Sequence, residues 1–186
     1  MNSIFVNFPL TNDEYLELES RFGDLCNFAA WQLIRKNVKN NHTDEIDDIA
    51  QQLRMAVIRA GCYYKRQIYI EQCLELVSKY CKDIFMKSMV EELNNLWINR
   101  TKHGANKQKF GEHQENILKY LVLKFVPLDK RPDPKNCLKI DSKFTTYCKS
   151  ITWNAQKSLG RKITRERSIR TGQVSLSEFD YLGSGR

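Results

Sequence analysis

Long apolar stretches are missing from this sequence, and even its most hydrophobic segments are interrupted by charges such as Lys124. A helix that crosses a bilayer needs about 20 consecutive apolar residues, so no membrane span is predicted. The segment from Met1 to Leu10 contains neither the basic stretch nor the small-residue cleavage site of a secretory signal. The sequence therefore predicts a soluble, cytoplasmic protein with no membrane partner.

The chemical motifs of common enzymes are also missing. The sequence has no phosphate-binding P-loop, no Rossmann glycine pattern, no H-E-x-x-H motif and no kinase or hydrolase signature. It contains only three histidines, the side chains best suited to acid–base work near neutral pH. We predict a protein that is not an enzyme and has no cofactor. The remaining catalytic alternative is a helical ribonuclease that would use His103 together with Arg100.

Metal-binding patterns are weak. None of the six cysteines forms a C-x-x-C pair, whereas zinc ligands normally come in pairs two to four residues apart. Most of the cysteines lie in apolar stretches, which predicts reduced core residues. An acidic group between Asp44 and Asp48 could bind a metal, but its position at a predicted helix start favours interaction with the helix dipole. We therefore predict no metal site.

What the sequence does have is apolar residues spaced three and four apart, which predict helices along most of the chain. The first helix follows a capping box from Thr11 to Glu14. Its predicted apolar stripe is Tyr15, Leu18, Phe22, Leu25, Ala29 and Leu33. A second helix is predicted over residues 44–60, with a break at Gly61. The pattern predicts an all-α fold with a helical bundle over residues 1–126, of which 61–126 form a helical insertion.

A cluster of prolines follows the bundle. Pro127, Pro132 and Pro134 prevent a continuous helix and predict a linker over residues 127–141. A basic helix is predicted over residues 142–170, capped by Asp141 or Ser142, and its apolar stripe is Phe144, Cys148, Ile151, Ala155 and Leu159. Residues 171–186 contain three glycines and little periodicity, which predicts a flexible tail.

Positive charge is concentrated in one segment. The chain carries a net charge of +8, and residues 130–170 contain twelve Lys and Arg against three acids. This clustering is typical of a surface that binds the phosphates of a nucleic acid. A solvated basic helix without any partner, and a surface for an acidic protein or membrane, are the alternatives.

Two segments together resemble region two of bacterial RNA polymerase sigma factors. The first, Asp47 to Ala60, reads D-D-I-A-Q-Q-L-R-M-A-V-I-R-A and is similar to the family's helix that docks on the polymerase. The second, Lys143 to Asn154, reads K-F-T-T-Y-C-K-S-I-T-W-N and resembles the promoter-melting helix, followed by Arg161 and Lys162. The resemblance covers about a third of the chain. It differs from the family's pattern in the roughly eighty residues between its two parts.

The resemblance implies a reduced, phage-type sigma factor in a bacterial cell or a phage-infected host. It implies that RNA polymerase core contacts Asp48, Gln51, Gln52 and Arg59. It also implies that bases of opened promoter DNA are held by aromatic and polar residues of the second segment, with Trp153 as the stacking residue. The predicted nucleic-acid contacts are Lys143, Tyr147, Lys149, Trp153, Asn154, Lys157, Arg161, Lys162, Arg165, Arg167 and Arg170. The alternative is a non-catalytic helical protein that binds RNA or DNA without a polymerase.

The C-terminal segment carries a second, shorter resemblance. Gln173 to Tyr181 reads Q-V-S-L-S-E-F-D-Y and looks like the Q-x-x-L-x-x-F pattern of peptides that bind sliding clamps. This resemblance implies that Leu176 and Phe179 insert into an apolar pocket of such a clamp. Chance similarity, or docking of the two side chains on the protein's own core, is the alternative.

Overall fold

The computed structural model describes residues 8–37, 43–100, 110–138 and 140–182. All regular secondary structure in these ranges is helical, which confirms the predicted all-α fold. The helices are α1 (Asn12–Asn37), α2 (Thr43–Tyr80), α3 (Ile84–Asn99), α4 (Glu112–Phe125) and α5 (Ser142–Leu182), with a short 3-10 helix at Leu128–Lys130. None of the described helices is long and apolar enough to cross a membrane.

The described residues form two compact units. Unit 1 contains residues 8–9, 62–100 and 110–138, and unit 2 contains residues 10–37, 43–61 and 140–182. Helix α2 contributes its first part, as far as Gly61, to unit 2 and its second part to unit 1. Unit 2 therefore combines α1, the first part of α2 and α5, which are the parts of the chain that carry the predicted sites.

Helix α1 begins as its sequence predicts. The backbone N–H of Glu14 donates to the Thr11 hydroxyl at 3.2 Å, and the Thr11 N–H donates to the Glu14 carboxylate at 2.7 Å, which together form a capping box. In the predicted apolar stripe, Leu18, Phe22, Ala29 and Leu33 are buried. Two members of the stripe depart from this pattern, since Tyr15 is exposed and Leu25 is half-buried.

Helix α5 packs one face into the core of unit 2. Its first turn is capped by Asp141, whose carboxylate accepts the Phe144 N–H at 2.8 Å, as predicted. Phe144 and Cys148 are fully buried, and the Phe144 ring meets Phe22 edge-on at 6.3 Å between centroids. Thr152 was not predicted in the core but is fully buried. Its hydroxyl donates to the Cys148 carbonyl at 3.0 Å, which satisfies the polar group within its own helix.

The helix boundaries differ from the prediction in two places. Helix α2 continues through Gly61, because a single glycine lowers helix propensity by only about 1 kcal/mol and does not end a packed helix. Helix α5 is helical as far as Leu182, although a flexible tail was predicted from residue 171. Extending a formed helix is easier than nucleating one, and the single Gly172 in this segment does not interrupt it. The prediction for residues 183–186 lies outside the described residues.

Unit 1 is built around an apolar cluster shared by the second part of α2, α3 and α4, which includes Val77, Trp97 and Leu121. Beside it, Lys65 is completely buried, and its ammonium group donates to the carbonyls of Pro9 at 3.0 Å and Lys135 at 2.5 Å. The Lys65 side chain thus connects the backbone at Pro9, near the beginning of unit 1, to the backbone at Lys135, near its end. All six cysteines of the chain are buried free thiols, which confirms the burial predicted for them.

Candidate nucleic-acid interface

The candidate interface is the solvent-facing side of α5. All the predicted Lys, Arg and Asn contacts whose side chains are described are exposed, and they are Lys143, Lys149, Asn154, Lys157, Arg161, Lys162 and Arg165. The two predicted aromatic contacts, Tyr147 and Trp153, are half-buried. The side chains of Arg167 and Arg170 lie outside the described residues.

Helical periodicity places most of these residues on one stripe. At about 100° per residue, Lys143, Asn154, Lys157, Arg161 and Arg165 lie within roughly 80° of one another. The stripe faces away from the buried face, which contains Cys148. Lys149 and Lys162 lie on opposite flanks, outside the stripe. The stripe thus presents four cations and one amide, with spacing that a polyanion can follow along the helix.

The protein's own carboxylates leave this stripe available. Within the described part of unit 2, the ion pairs are Arg21–Glu17, Arg54–Glu19 and Lys162–Glu166. None of them involves Lys143, Lys157, Arg161 or Arg165. The Lys162–Glu166 pair spans 3.9 Å between exposed side chains, and such a pair contributes little stability. The four cations of the stripe make no ion pair with a described carboxylate and can therefore neutralise phosphates.

The half-buried state of Trp153 is compatible with two roles. Part of the indole packs against the unit, and part remains accessible to a flat partner such as a nucleobase. Tyr147 also makes contacts within the protein. By helical periodicity Tyr147 lies within the basic stripe and Trp153 lies about 40° beyond its edge at Lys157, so both rings lie beside the cations. Trp153 is the residue predicted to stack on a base.

A groove lies on another side of α5. Its α2 wall carries the four residues that the sigma resemblance assigns to the polymerase, Asp48, Gln51, Gln52 and Arg59, all exposed. Its α5 wall consists of Ala155, Ser158 and Leu159. Met55 and Ala56 also line the α2 wall, so the groove combines polar and apolar side chains, as a contact with a protein partner does. In the structure the four predicted polymerase contacts thus lie next to the predicted DNA-binding helix.

Sequence reasoning missed an exposed aromatic pair on α1. Phe28 and Trp31 are 50% and 44% exposed, and their rings are nearly parallel at 22° with centroids 6.3 Å apart. The Arg35 guanidinium lies over the Trp31 ring at 5.1 Å. The available signal was that Phe28 and Trp31 interrupt the polar face of a helix whose apolar stripe is already complete.

Other predicted residues have different outcomes. The first acidic residues of α2 that can be described, Glu45, Asp47 and Asp48, are exposed near its N-terminus, and no group of metal-ligating side chains occurs in the described ranges. Arg100 bonds the Trp97 carbonyl at 2.7 Å and Glu71 at 3.2 Å, so its guanidinium is engaged within unit 1. His103 lies outside the described residues, as do the side chains of Leu176 and Phe179.

Compared with known proteins, the chain matches no family model, no curated protein and no solved structure.

Proposed function

We propose that this chain is a sigma-like transcription initiation factor that binds RNA polymerase and opened promoter DNA. The observation that carries the proposal is the meeting of the two resembling segments in one unit. Asp47 to Ala60 and Lys143 to Asn154 are distant in sequence, yet both belong to unit 2. Residues of α2 and α5 also line one groove. A single unit that carries both surfaces can bind the polymerase and the opened promoter DNA at the same time.

The DNA-binding half of the proposal rests on charge and exposure. The stripe containing Lys143, Lys157, Arg161 and Arg165 is exposed and makes no ion pair with the described carboxylates. Trp153 offers a partly accessible ring beside it. Stacking of a base on an aromatic side chain contributes about 1–3 kcal/mol, and neighbouring cations hold the backbone. The same surface therefore suits an unpaired strand better than a rigid duplex.

The polymerase-binding half rests on the exposed residues of α2. Gln51 and Gln52 are both exposed on the groove wall. Asp48 extends that wall by about one turn towards the N-terminus of α2, and Arg59 extends it by about two turns in the other direction. Amide and charged side chains on a rigid helix can form a hydrogen-bonded contact without changing the fold of unit 2.

The experiment is recovery of bacterial core RNA polymerase on the tagged protein at low salt. Wild-type protein should recover the polymerase, and the double variant Gln51→Ala with Gln52→Ala should recover much less. Asn95→Ala, an exposed substitution in unit 1, is the matched control and should behave as wild type. If wild-type protein recovers no polymerase subunit, the sigma assignment is wrong, and retained DNA binding would favour the accessory-protein alternative.

A sliding clamp is the partner that we propose for the segment around Leu176 and Phe179. The proposal rests on the Q-x-x-L-x-x-F pattern of the sequence. Binding of purified bacterial or phage clamp to the protein should be lost in the double variant Leu176→Ala with Phe179→Ala. Glu178→Ala lies inside the same segment but outside the pattern, and it should leave clamp binding unchanged. Equal binding by all three proteins would show that the pattern is coincidental.

A further inference from the structure

Two aromatic side chains of α1, Phe28 and Trp31, are exposed to solvent. Half of the Phe28 ring and nearly half of Trp31 remain accessible to solvent, although the two rings stack on each other. Arg35 extends the same surface by lying over the second ring. Flat rings next to a guanidinium are the combination that binds unpaired nucleobases and their phosphates.

The contacts of unit 2 fix how α1 lies beside α5. Arg21 donates to the Ile140 carbonyl at 3.3 Å, and the Gln156 amide donates to the Ala29 carbonyl at 2.7 Å. A Cβ on Gly160 would lie 3.0 Å from a methyl group of Leu33. Residue numbers increase in the same direction on both helices along these contacts, so α1 and α5 run parallel.

Helix geometry then places the aromatic residues of α1 and α5 on one flank. On α5, Ala155 and Leu159 face the α2 groove and lie on one side of Gln156. Trp153 and Lys157 lie on the other side of Gln156, by roughly 60° and 100°. They therefore face the flank of unit 2 that is opposite the first part of α2.

On α1, Ala29 is the residue that faces α5. Arg54 of α2 contacts Glu19 and Asn27 on one side of it. Phe28 lies about 100° away on the other side. Phe28 therefore lies on the flank opposite α2, the flank that also carries Trp153 and Lys157.

The register alternates aromatic and basic residues along the two helix axes. Trp153, Lys157, Phe28 and Arg35 face this flank, whereas Trp31 and Arg161 lie roughly 160° from Ala29 and 140° from Gln156 and so at its outer edges. With Ala29 level with Gln156 and Leu33 level with Gly160, the order along the helix axes is Trp153, Phe28, Lys157, Trp31, Arg161 and Arg35. The first and last members are about nine residues apart, or roughly 14 Å at 1.5 Å per residue. About four stacked nucleotides of one DNA strand cover this length.

We propose that Phe28, Trp31 and Arg35 extend the α5 surface into a binding face for unpaired DNA. Phe28, backed by the Trp31 ring that stacks on it, receives a base, while Arg35 joins Lys157 in holding phosphates. The proposal rests on DNA binding as proposed above but not on polymerase binding. Charge complementarity favours DNA over an apolar protein segment, because Lys157 belongs to the most basic part of the chain and Arg35 adds a further cation over the Trp31 ring.

The test measures binding of a fluorescently labelled single-stranded oligonucleotide and of the matching duplex. The double variant Phe28→Ala with Trp31→Ala should bind the single strand roughly tenfold more weakly, the effect expected from losing one stacked base. Binding of the duplex should change little. Phe28→Tyr with Trp31→Phe retains both rings and should restore binding of the single strand. Phe85→Ala removes a highly exposed ring of unit 1 and serves as the matched control.

Failure of this inference is distinguishable from failure of the proposed function. If wild-type protein binds no DNA in either form, the DNA-binding half of the proposed function is wrong. If wild-type protein binds the single strand and the alanine double variant binds it equally well, only the role of Phe28 and Trp31 is wrong. Loss of polymerase recovery in that variant without any loss of DNA binding would assign the pair to a protein contact and overturn the inference. A tighter complex of wild-type protein with RNA of the same sequence would also overturn it.

Discussion

The side-chain amide of Gln156 donates a 2.7 Å hydrogen bond to the backbone carbonyl of Ala29. The bond joins the middle of α5 to the middle of α1 and sets the register in which their exposed faces lie side by side. Replacing Gln156 with Glu removes the donor while keeping the length of the side chain. We expect a loss of about 1 kcal/mol in the free energy of unfolding, the usual value for one hydrogen bond.

Chemical denaturation measures this loss. Gln32→Glu changes the same functional group at a half-buried position of α1 and is the control for the added negative charge. If both variants lose the same amount of stability, the hydrogen bond to Ala29 contributes nothing of its own.

Gly61 is closely packed by leucine side chains. A Cβ at Gly61 would lie 3.0 Å from a methyl group of the buried Leu18 and 3.3 Å from one of Leu10. At Gly23, by contrast, an added Cβ would meet mainly the mobile carboxylate end of Glu19. Both substitutions to Ala gain helix propensity, but only Gly61→Ala overpacks the core. We expect Gly61→Ala to be less stable than Gly23→Ala by about 1–2 kcal/mol in thermal unfolding, and equal stabilities would contradict this account.

Lys65 is expected to stabilise unit 1 through the carbonyls that it satisfies. Replacing Lys65 with Met keeps an unbranched apolar stem but removes the ammonium donor to Pro9 and Lys135. Leaving buried acceptors unsatisfied costs about 1–3 kcal/mol each. Hydrogen exchange should therefore become faster in unit 1 than in wild-type protein. Lys119→Met, at an exposed position of α4, should leave exchange unchanged, and unchanged exchange in the Lys65 variant would show that these bonds are not stabilising.

The burial of the Cys26 and Cys148 thiols predicts that the protein loses stability at alkaline pH. Burial raises the pKa of the Cys26 thiol from 9.0 to about 11, and burial raises that of Cys148 to about 12, with further help from the nearby Cys26. Above pH 9 the unfolded chain loses these protons while the folded protein keeps them, so unfolding becomes more favourable as the pH rises towards 11. Each thiol contributes a slope of at most about 1.4 kcal/mol per pH unit.

Lysines and tyrosines also titrate in this range. The pH dependence of stability is therefore compared between wild-type protein and a variant that lacks the two thiols. The double variant Cys26→Ala with Cys148→Ala will be less stable at pH 7 because of the cavities it creates. Its stability should fall less steeply than that of wild-type protein between pH 9 and pH 11. Parallel pH profiles for the two proteins would contradict the proposed role of the thiols.

The basic stripe predicts a salt-dependent affinity for DNA. Each phosphate neutralised contributes about 0.7–0.9 to the slope of log affinity against log salt. Lys157→Gln with Arg161→Gln should therefore reduce that slope by about 1.4–1.8 and weaken binding in titrations by fluorescence anisotropy. Lys82→Gln with Lys87→Gln removes two exposed charges from unit 1 and should leave the slope unchanged. An affinity of wild-type protein that does not vary with salt would contradict the electrostatic basis of the interface.

The sequence by itself determined the helical class, the capping box at Thr11 and the exposure of most cations of α5. These properties depend on neighbours within one or two helical turns, and residue periodicity records such neighbours directly. For the same reason, the burial of Phe22 and Phe144 could be predicted before any contact between the two rings was known.

The tertiary structure decided which helices share a unit, because contacts such as Gln156 with Ala29 join residues that no local pattern relates. It placed the α2 residues Gln51 and Gln52 beside α5 and revealed the exposed pair Phe28 and Trp31 on the flank of the basic helix. In the structure α2 also continues past Gly61, where the sequence predicted a break, and α5 continues to Leu182, where the sequence predicted a flexible tail. For the grouping of the helices and the continuation of α2, the physical reason is packing between distant segments, which adds free energy that local propensity does not contain. For α5 the reason is that extending a formed helix is easier than nucleating one.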